Sequence, residues 1–222
     1  MNILNYTEAH HTFRKELIEF LEKELMPERE QWEADHIVPK RAWKKMGAGG
    51  YLCTNVPKAY GGKGLDFLYS VIVAEEVGNA GLSGLVTGLH SDIVVPYIVS
   101  FGSEEQKQKY LPGCVSGDII TAVAMTEPAA GSDVASMEMT ADHDGDEIVL
   151  NGSKTFISNG INCDLGFVAA KDALTEDRHS AVSLWIVVDG SRGFRRGGQL
   201  VIVGEHAEET GGVFLSVCRI GT

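Results

Sequence analysis

The stretch Ala124-Met125-Thr126-Glu127-Pro128-Ala129-Ala130-Gly131-Ser132-Asp133 holds the clearest chemical potential in this 222-residue chain. It leaves an apolar run, turns at Pro128, and then presents small residues and hydroxyls where more hydrophobes would extend a core. Backbone N–H groups released in such a turn, with the Thr126 and Ser132 hydroxyls, are suited to hold electron-rich oxygen and nitrogen atoms of a ligand. The same pattern also serves an ordinary loop. Other chemistry-bearing groups fare worse. Gly61-Gly62-Lys63-Gly64 has the composition of a phosphate loop without its GxxxxGK[ST] spacing and reads as a turn. His10 and His11 are neighbours on an expected helix, so their rings point apart, cannot share a metal, and should be solvated. His90-Ser91-Asp92 has the residue types of a hydrolytic triad, but adjacency in sequence denies it the geometry. Cys53, Cys114, Cys163 and Cys218 are scattered without CxxC or metal-ligand spacing. They are expected to be reduced thiols, and no metal site is expected.

The elements that must carry these residues differ between the two halves. In the first, Phe13, Leu17, Phe20, Leu21 and Leu25 recur at three- and four-residue steps, with charged residues between them. Pro27 should stop that helix. Pro39 opens a second helix carrying Trp43 and Met46, with Gly47 at its end. Asp66 caps a third that holds Leu68, Ile72 and Val73 and closes at Gly78. The apolar segment from Leu82 to Val99 should be kinked or interrupted at Pro96. Ser103-Glu104-Glu105-Gln106 is a capping box opening a helix that should end before Pro112. In the second half, Ile119 to Met125, Leu165 to Ala170 and Ala181 to Val188 read as strands. His143-Asp144-Gly145-Asp146 reads as a turn, and Asn151-Gly152 as the two-residue loop of a hairpin from Ile148 to Ser158. The expected fold class is therefore α+β. An all-α helical domain would span residues 1–118, followed by an antiparallel, barrel-like β-domain over 119–222.

Composition narrows the function. Hydrophobic residues make up 44% and charged residues 23%, ordinary for a chain with a packed core. With 19 Lys and Arg against 31 Asp and Glu, the net charge of −12 excludes a non-specific nucleic-acid binder, which needs a basic stripe. No run of about 18 apolar residues is present, so no transmembrane segment is expected. The start Met1-Asn2-Ile3-Leu4-Asn5 shows no secretory pattern, and the expected location is cytoplasmic.

Met125-Thr126-Glu127-Pro128 followed by Ala130-Gly131-Ser132-Asp133 closely resembles the first signature of the acyl-CoA dehydrogenase family. Asn151-Gly152-Ser153-Lys154-Thr155-Phe156-Ile157-Ser158-Asn159-Gly160 is similar to the family's second stretch, around its Trp-Ile-Thr flavin contact. Tyr60-Gly61-Gly62, His90-Ser91 and Gly102-Ser103-Glu104-Glu105-Gln106 match further landmarks, and the variants are most like long-chain members. The resemblance covers roughly residues 5 to 200. It implies FAD as cofactor and acyl-CoA as substrate, with removal of two hydrogens from the α and β carbons as in fatty-acid β-oxidation. It further implies electron-transfer flavoprotein as acceptor and a homo-oligomer in full-length relatives.

Carried over, the flavin-facing stretch corresponds to Val123, Ala124, Met125, Thr126, Gly131 and Ser132. Thr126 would bond the ring through its hydroxyl, and Met125 through its backbone. Ser132 would touch both the cofactor and the pantetheine arm of the substrate. Phe156, Ile157 and Ser158 correspond to the second contact, with Phe156 as an aromatic wall that lacks an indole N–H. Read alone, Phe156 would be a core aromatic on a hairpin. The family's catalytic glutamate belongs to a C-terminal helical domain that these residues do not include. The resemblance thus assigns no catalytic residue here, and the chain alone is expected to be silent toward acyl-CoA. Two other readings stay open: a non-catalytic module binding acyl-CoA or a partner subunit, and a relative of acyl-CoA oxidases or flavin monooxygenases.

Overall fold

A computed structural model of the chain describes residues 4–177, 179–204 and 206–221. Thr222, where the expected β-domain ends, lies outside them. The chain divides into two compact units, residues 1–120 with 203–208, and residues 121–202 with 209–222.

The first unit is helical: α1 Glu8–Glu24, α2 Arg29–Asp35, α3 Lys40–Gly49, α4 Phe67–Asn79, α5 Val95–Phe101 and α6 Glu104–Ser116. The apolar stripe of α1 buries Phe13, Leu17 and Leu21, and α1 packs on α4. Leu17, Leu25, Trp43, Met46, Ile72, Leu85 and Ile98 are almost fully withdrawn from solvent. Burying such side chains contributes roughly 1.5–3 kcal/mol each, which is why the stripe pattern located these helices. Asp66 caps α4, its carboxylate accepting the Leu68 N–H at 2.9 Å. The Ser103 box is complete: Ser103 Oγ accepts from Gln106 N at 3.2 Å, and Gln106 Oε1 accepts from Ser103 N at 2.9 Å.

Four expectations for this unit need correction. Helix α3 runs past Gly47 and ends on Gly50, whose φ is 73°. Gly47 serves packing instead, since a Cβ there would lie 2.1 Å from the Ser116 carbonyl oxygen where α3 meets α6. Helix α6 runs through Pro112 to Ser116. Pro112 and Gln108 are on the exposed side, so the carbonyl that loses its amide donor can turn to water. Helix α4 likewise runs through Gly78 to Asn79, whereas the break expected at Pro96 is present, as a π-helical turn over Leu89–Val94 with Pro96 taken into the first turn of α5. Finally, His10 is buried rather than solvated, with Nδ1 accepting the Thr7 N–H at 3.0 Å.

The second unit is one curled sheet: β1 Thr121–Ala124, β2 Thr140–Asp144, β3 Glu147–Ser158, β4 Leu165–Asp172, β5 Val182–Val188, β6 Phe194–Gln199 and β7 Thr210–Gly221. Its core gathers Ala122, Ala124, Met139, Leu150, Ile157, Val168, Val213 and Leu215. The sheet is mixed where an antiparallel one was expected. β5 pairs antiparallel along one edge of β4, while β1 and the start of β2 lie end to end and parallel along the other. The expected hairpin loop at Asn151-Gly152 is also absent. The turn falls at Gly145-Asp146, and β3 continues through Asn151, opposite a bulge in β7 at Ser216-Val217. The Asn151 side chain fills the gap by accepting the Val217 N–H at 2.8 Å.

Candidate active site

β1 delivers the chain at Ala124 into a loop that returns at β2. The loop begins with a tight turn, in which Glu127 N donates to Ala130 O at 2.8 Å and Ala130 N to Glu127 O at 3.2 Å. Pro128 and Ala129 form the exposed tip. Met125 packs against Ala130, Met137 and Ala169, a small apolar cluster under the loop. The Thr126 carbonyl accepts the Thr155 N–H at 2.9 Å, which fastens the loop to β3 one residue before Phe156.

Phe156 sits in the left-handed region at φ 57° and exposes 66% of its surface. Such a conformation costs a non-glycine residue roughly 1–3 kcal/mol and persists only where the surroundings impose it. The imposing feature is a register shift between Lys154 and Ile157 opposite β7. In a regular strand, residues three apart face opposite sides. Here Lys154 and Ile157 are both buried, and Phe156 is turned outward. The reading of Phe156 as a core aromatic therefore fails.

The other candidates divide by accessibility. Ala124 and Ile157 belong to the sheet core and can offer only backbone to a ligand. Val123, Met125, Thr126 and Ser158 are half-buried, whereas Gly131 and Ser132 are exposed. A Cβ at Gly131 would meet nothing within 4 Å. The structure thus brings Met125 and Thr126 beside the Phe156 strand. Among the described residues no hydrogen bond ties Ser132 to Thr126 or Phe156. An outward-held aromatic ring, partly open hydroxyls and an open approach at Gly131 fit a planar, hydrogen-bonding cofactor such as a flavin.

One buried pair beneath the loop escaped the reading of the sequence. Lys154 and Glu127 form an ion pair at 2.7 Å with side chains 0% and 4% exposed. Lys154 Nζ also donates to Met125 O at 3.0 Å. The Glu127 carboxylate accepts from Glu138 N at 2.6 Å and Met139 N at 3.1 Å. Burial pushes the Glu127 carboxyl up, but the Glu138 N–H, the Lys154 ammonium and the Met139 N–H outweigh it and hold it below its ordinary value. Burial draws the Lys154 ammonium down, and Glu127 offsets only part of that. The available signal was a lone carboxylate directly after a buried strand, and a lysine at an inward position of another.

The remaining candidates are structural. His90 is fully buried, within 3.0 Å of the Cys114 carbonyl oxygen and edge-on to Trp43, and burial pulls it down to about 4. Ser91 Oγ accepts the Cys53 N–H at 3.0 Å, so no triad forms. Lys63 lies against the Phe13 and Tyr51 rings, which leaves its glycine-rich turn without a phosphate role. The four cysteines are free and buried. Among the described residues no His, Cys, Asp or Glu cluster could hold a metal, and no helix is long and apolar enough to cross a membrane.

Comparison with known proteins matches both units of the chain. The model of the acyl-CoA dehydrogenase N-terminal domain matches residues 7–118, and that of the acyl-CoA dehydrogenase middle domain matches 122–218. The pig mitochondrial long-chain specific acyl-CoA dehydrogenase is 38% identical over 217 residues, covering 97% of this chain and 50% of that enzyme. The crystal structure of an acyl-CoA dehydrogenase from Geobacillus kaustophilus superposes with a TM-score of 0.95 at 49% identity, over 98% of this chain and 57% of that one. An acyl-CoA dehydrogenase from Bacillus anthracis, complexed with FAD, gives a TM-score of 0.89 at 31% identity, over 98% and 38%. The chain spans about half the length of the curated relatives it matches. Matched by its models over nearly the whole length, the chain belongs to the acyl-CoA dehydrogenase family and carries its N-terminal and middle domains.

Proposed function

We propose that the chain contributes the flavin-ring side of an FAD-dependent acyl-CoA dehydrogenase of the long-chain, β-oxidation type. The observation that carries this reading is Phe156, held outward at φ 57° beside the loop of Met125 and Thr126. Strain of that kind has no packing benefit, because the ring it displays is mostly exposed. FAD, when bound, supplies the acceptor for the hydride that leaves the β carbon of an acyl-CoA thioester. This chain's part is to bind and orient. Thr126 Oγ1 and the backbone from Val123 to Met125 would face the polar edge of the ring. Phe156, with the backbone of Ile157 and the Ser158 hydroxyl, would cover one side of it and exclude water. Gly131 leaves room for close approach, and Ser132 would hold cofactor and pantetheine arm together.

The α-proton needs a carboxylate base poised for transfer. Glu127 adjoins Thr126 in this site, but its oxygens are engaged by Lys154 and two backbone N–H groups. We place the base outside these 222 residues, and electron-transfer flavoprotein and homo-oligomeric assembly are likewise assigned to the complete enzyme. The test is titration of the purified chain with FAD, followed by visible absorption. Binding should weaken at least 10-fold in Thr126→Ala and Phe156→Gly with unchanged circular dichroism. Equal affinity in both variants would overturn the site. Reduction of a dye by acyl-CoA with the 222-residue chain alone would overturn the placement of the base.

A further inference from the structure

A completely buried lysine is a rare and costly feature, and Lys154 is among the largest side chains fully removed from solvent in this protein. Its three donors are all used: one toward Met125 O, one toward Glu127 Oε1, and one toward Met137 Sδ at 3.9 Å. Glu127 in turn accepts the N–H groups of Glu138 and Met139. One buried pair thus grips the start of the loop at Met125, its end at residues 137–139, and β3 two residues before Phe156. A hydrophobic pair of the same volume would fill the space and often be as stable or more so. It could not bond three backbone groups. Stability therefore does not account for the pair, whereas fixed loop geometry does.

We propose that Lys154 and Glu127 are positioning residues that set the loop of residues 125–139 against Phe156 and so fix the shape of the flavin contact. The proposal rests on the FAD reading above. Neither residue is assigned a contact with cofactor or substrate; both act through the backbone they hold. Loss of one partner strands the other as an unpaired buried charge, so a single variant mixes folding with positioning. The apolar double variant Lys154→Met/Glu127→Leu separates them.

The experiment compares wild type, Lys154→Met, Glu127→Gln and the double variant as full chains, by melting temperature, hydrogen exchange without FAD, and FAD titration. The double variant should melt within a few degrees of wild type. Its loop amides over residues 125–139 should exchange at least 10-fold faster. FAD should bind at least 10-fold more weakly, with a displaced visible absorption band. Lys154→Met should show the same loop loosening with a lower melting temperature, and Glu127→Gln an intermediate loosening. Wild-type exchange in the double variant would overturn the clamp whatever FAD does. Loosened exchange with unaltered FAD affinity and spectrum would overturn its link to the cofactor. If wild type itself failed to bind FAD, the flavin reading and that link would fall together, while faster exchange would still establish the clamp.

Discussion

Replacing Gly47 by alanine sets helix propensity against packing, and the two predict opposite signs. Gly47 lies inside α3, where alanine in place of glycine should stabilise an open helix by about 1 kcal/mol. Its added Cβ would lie 2.1 Å from the Ser116 carbonyl oxygen, 2.2 Å from that carbonyl carbon and 2.8 Å from the Val115 oxygen. These are backbone atoms of α6 and cannot rotate away. The helices must separate by more than 1 Å to restore ordinary contact, and overpacking of this kind costs typically about 1–3 kcal/mol. Separation also loosens Trp43 and Met46, which are buried on the same helix, so the net effect should be a loss of about 2 kcal/mol. The control is Gly78→Ala in α4, where a Cβ meets nothing within 4 Å and a gain of up to about 1 kcal/mol is expected. Urea unfolding followed by Trp fluorescence reads both variants. A Gly47→Ala chain as stable as wild type would show that the α3–α6 approach does not require glycine.

Protonation of His90 gives the helical unit a defined acid sensitivity. Its folded value of about 4 lies below the unfolded value, so the unfolded chain binds the extra proton. Stability should be full above about pH 6.5 and fall toward pH 4 by up to about 3 kcal/mol. His90→Asn should flatten that part of the profile in urea melts. Burial pushes the thiols of Cys53 and Cys163 up to about 12 and about 11, and all four cysteines are buried. The native chain should resist a thiol reagent at pH 8 and react at all four only after denaturation; rapid native labelling would contradict the packing. Phe156→Gly should cost under about 1 kcal/mol, because relief of the left-handed conformation offsets the little burial lost. A loss near the 3–5 kcal/mol of a core Phe→Ala, measured by urea melt, would refute the outward placement.

What the sequence disclosed follows from the range of each interaction. The Asp66 cap and the Ser103 box use atoms within three residues, so local pattern sufficed. The α1 stripe survives because burying a whole helix face outweighs local variation. Pro112 and Asn151-Gly152 misled because both are local stop signals overridden from a distance. Pro112 sits where solvent compensates a lost bond, and Asn151 faces a β7 backbone some 66 positions later that needed a bulge. The parallel pairing of β1 and β2 with β4 had no local signature, since register across intervening chain is a property of the closed sheet. At the candidate site the signature residues were legible through resemblance. The outward turn of Phe156 and the pair beneath it were not, because both depend on the shift between β3 and β7.

The pairing scheme also dictates an order of events during synthesis. β1 needs β4, whose first partner residue lies 44 positions downstream of Thr121, and β3 needs β7 from Thr210 to Gly221. The helical contacts among α1 to α6 close within residues already made, so that part can form while the rest is still emerging. At about 5–20 residues per second, Thr121 waits roughly 5–20 s before Gly221 has been added. From its own completion at Ser158 until β7 is made, β3 offers a twelve-residue edge with apolar side chains and no native neighbour on its β7 side. The nascent sheet is therefore most exposed to wrong partners while half made, and shielding of that edge by a chaperone should raise the yield of folded chain.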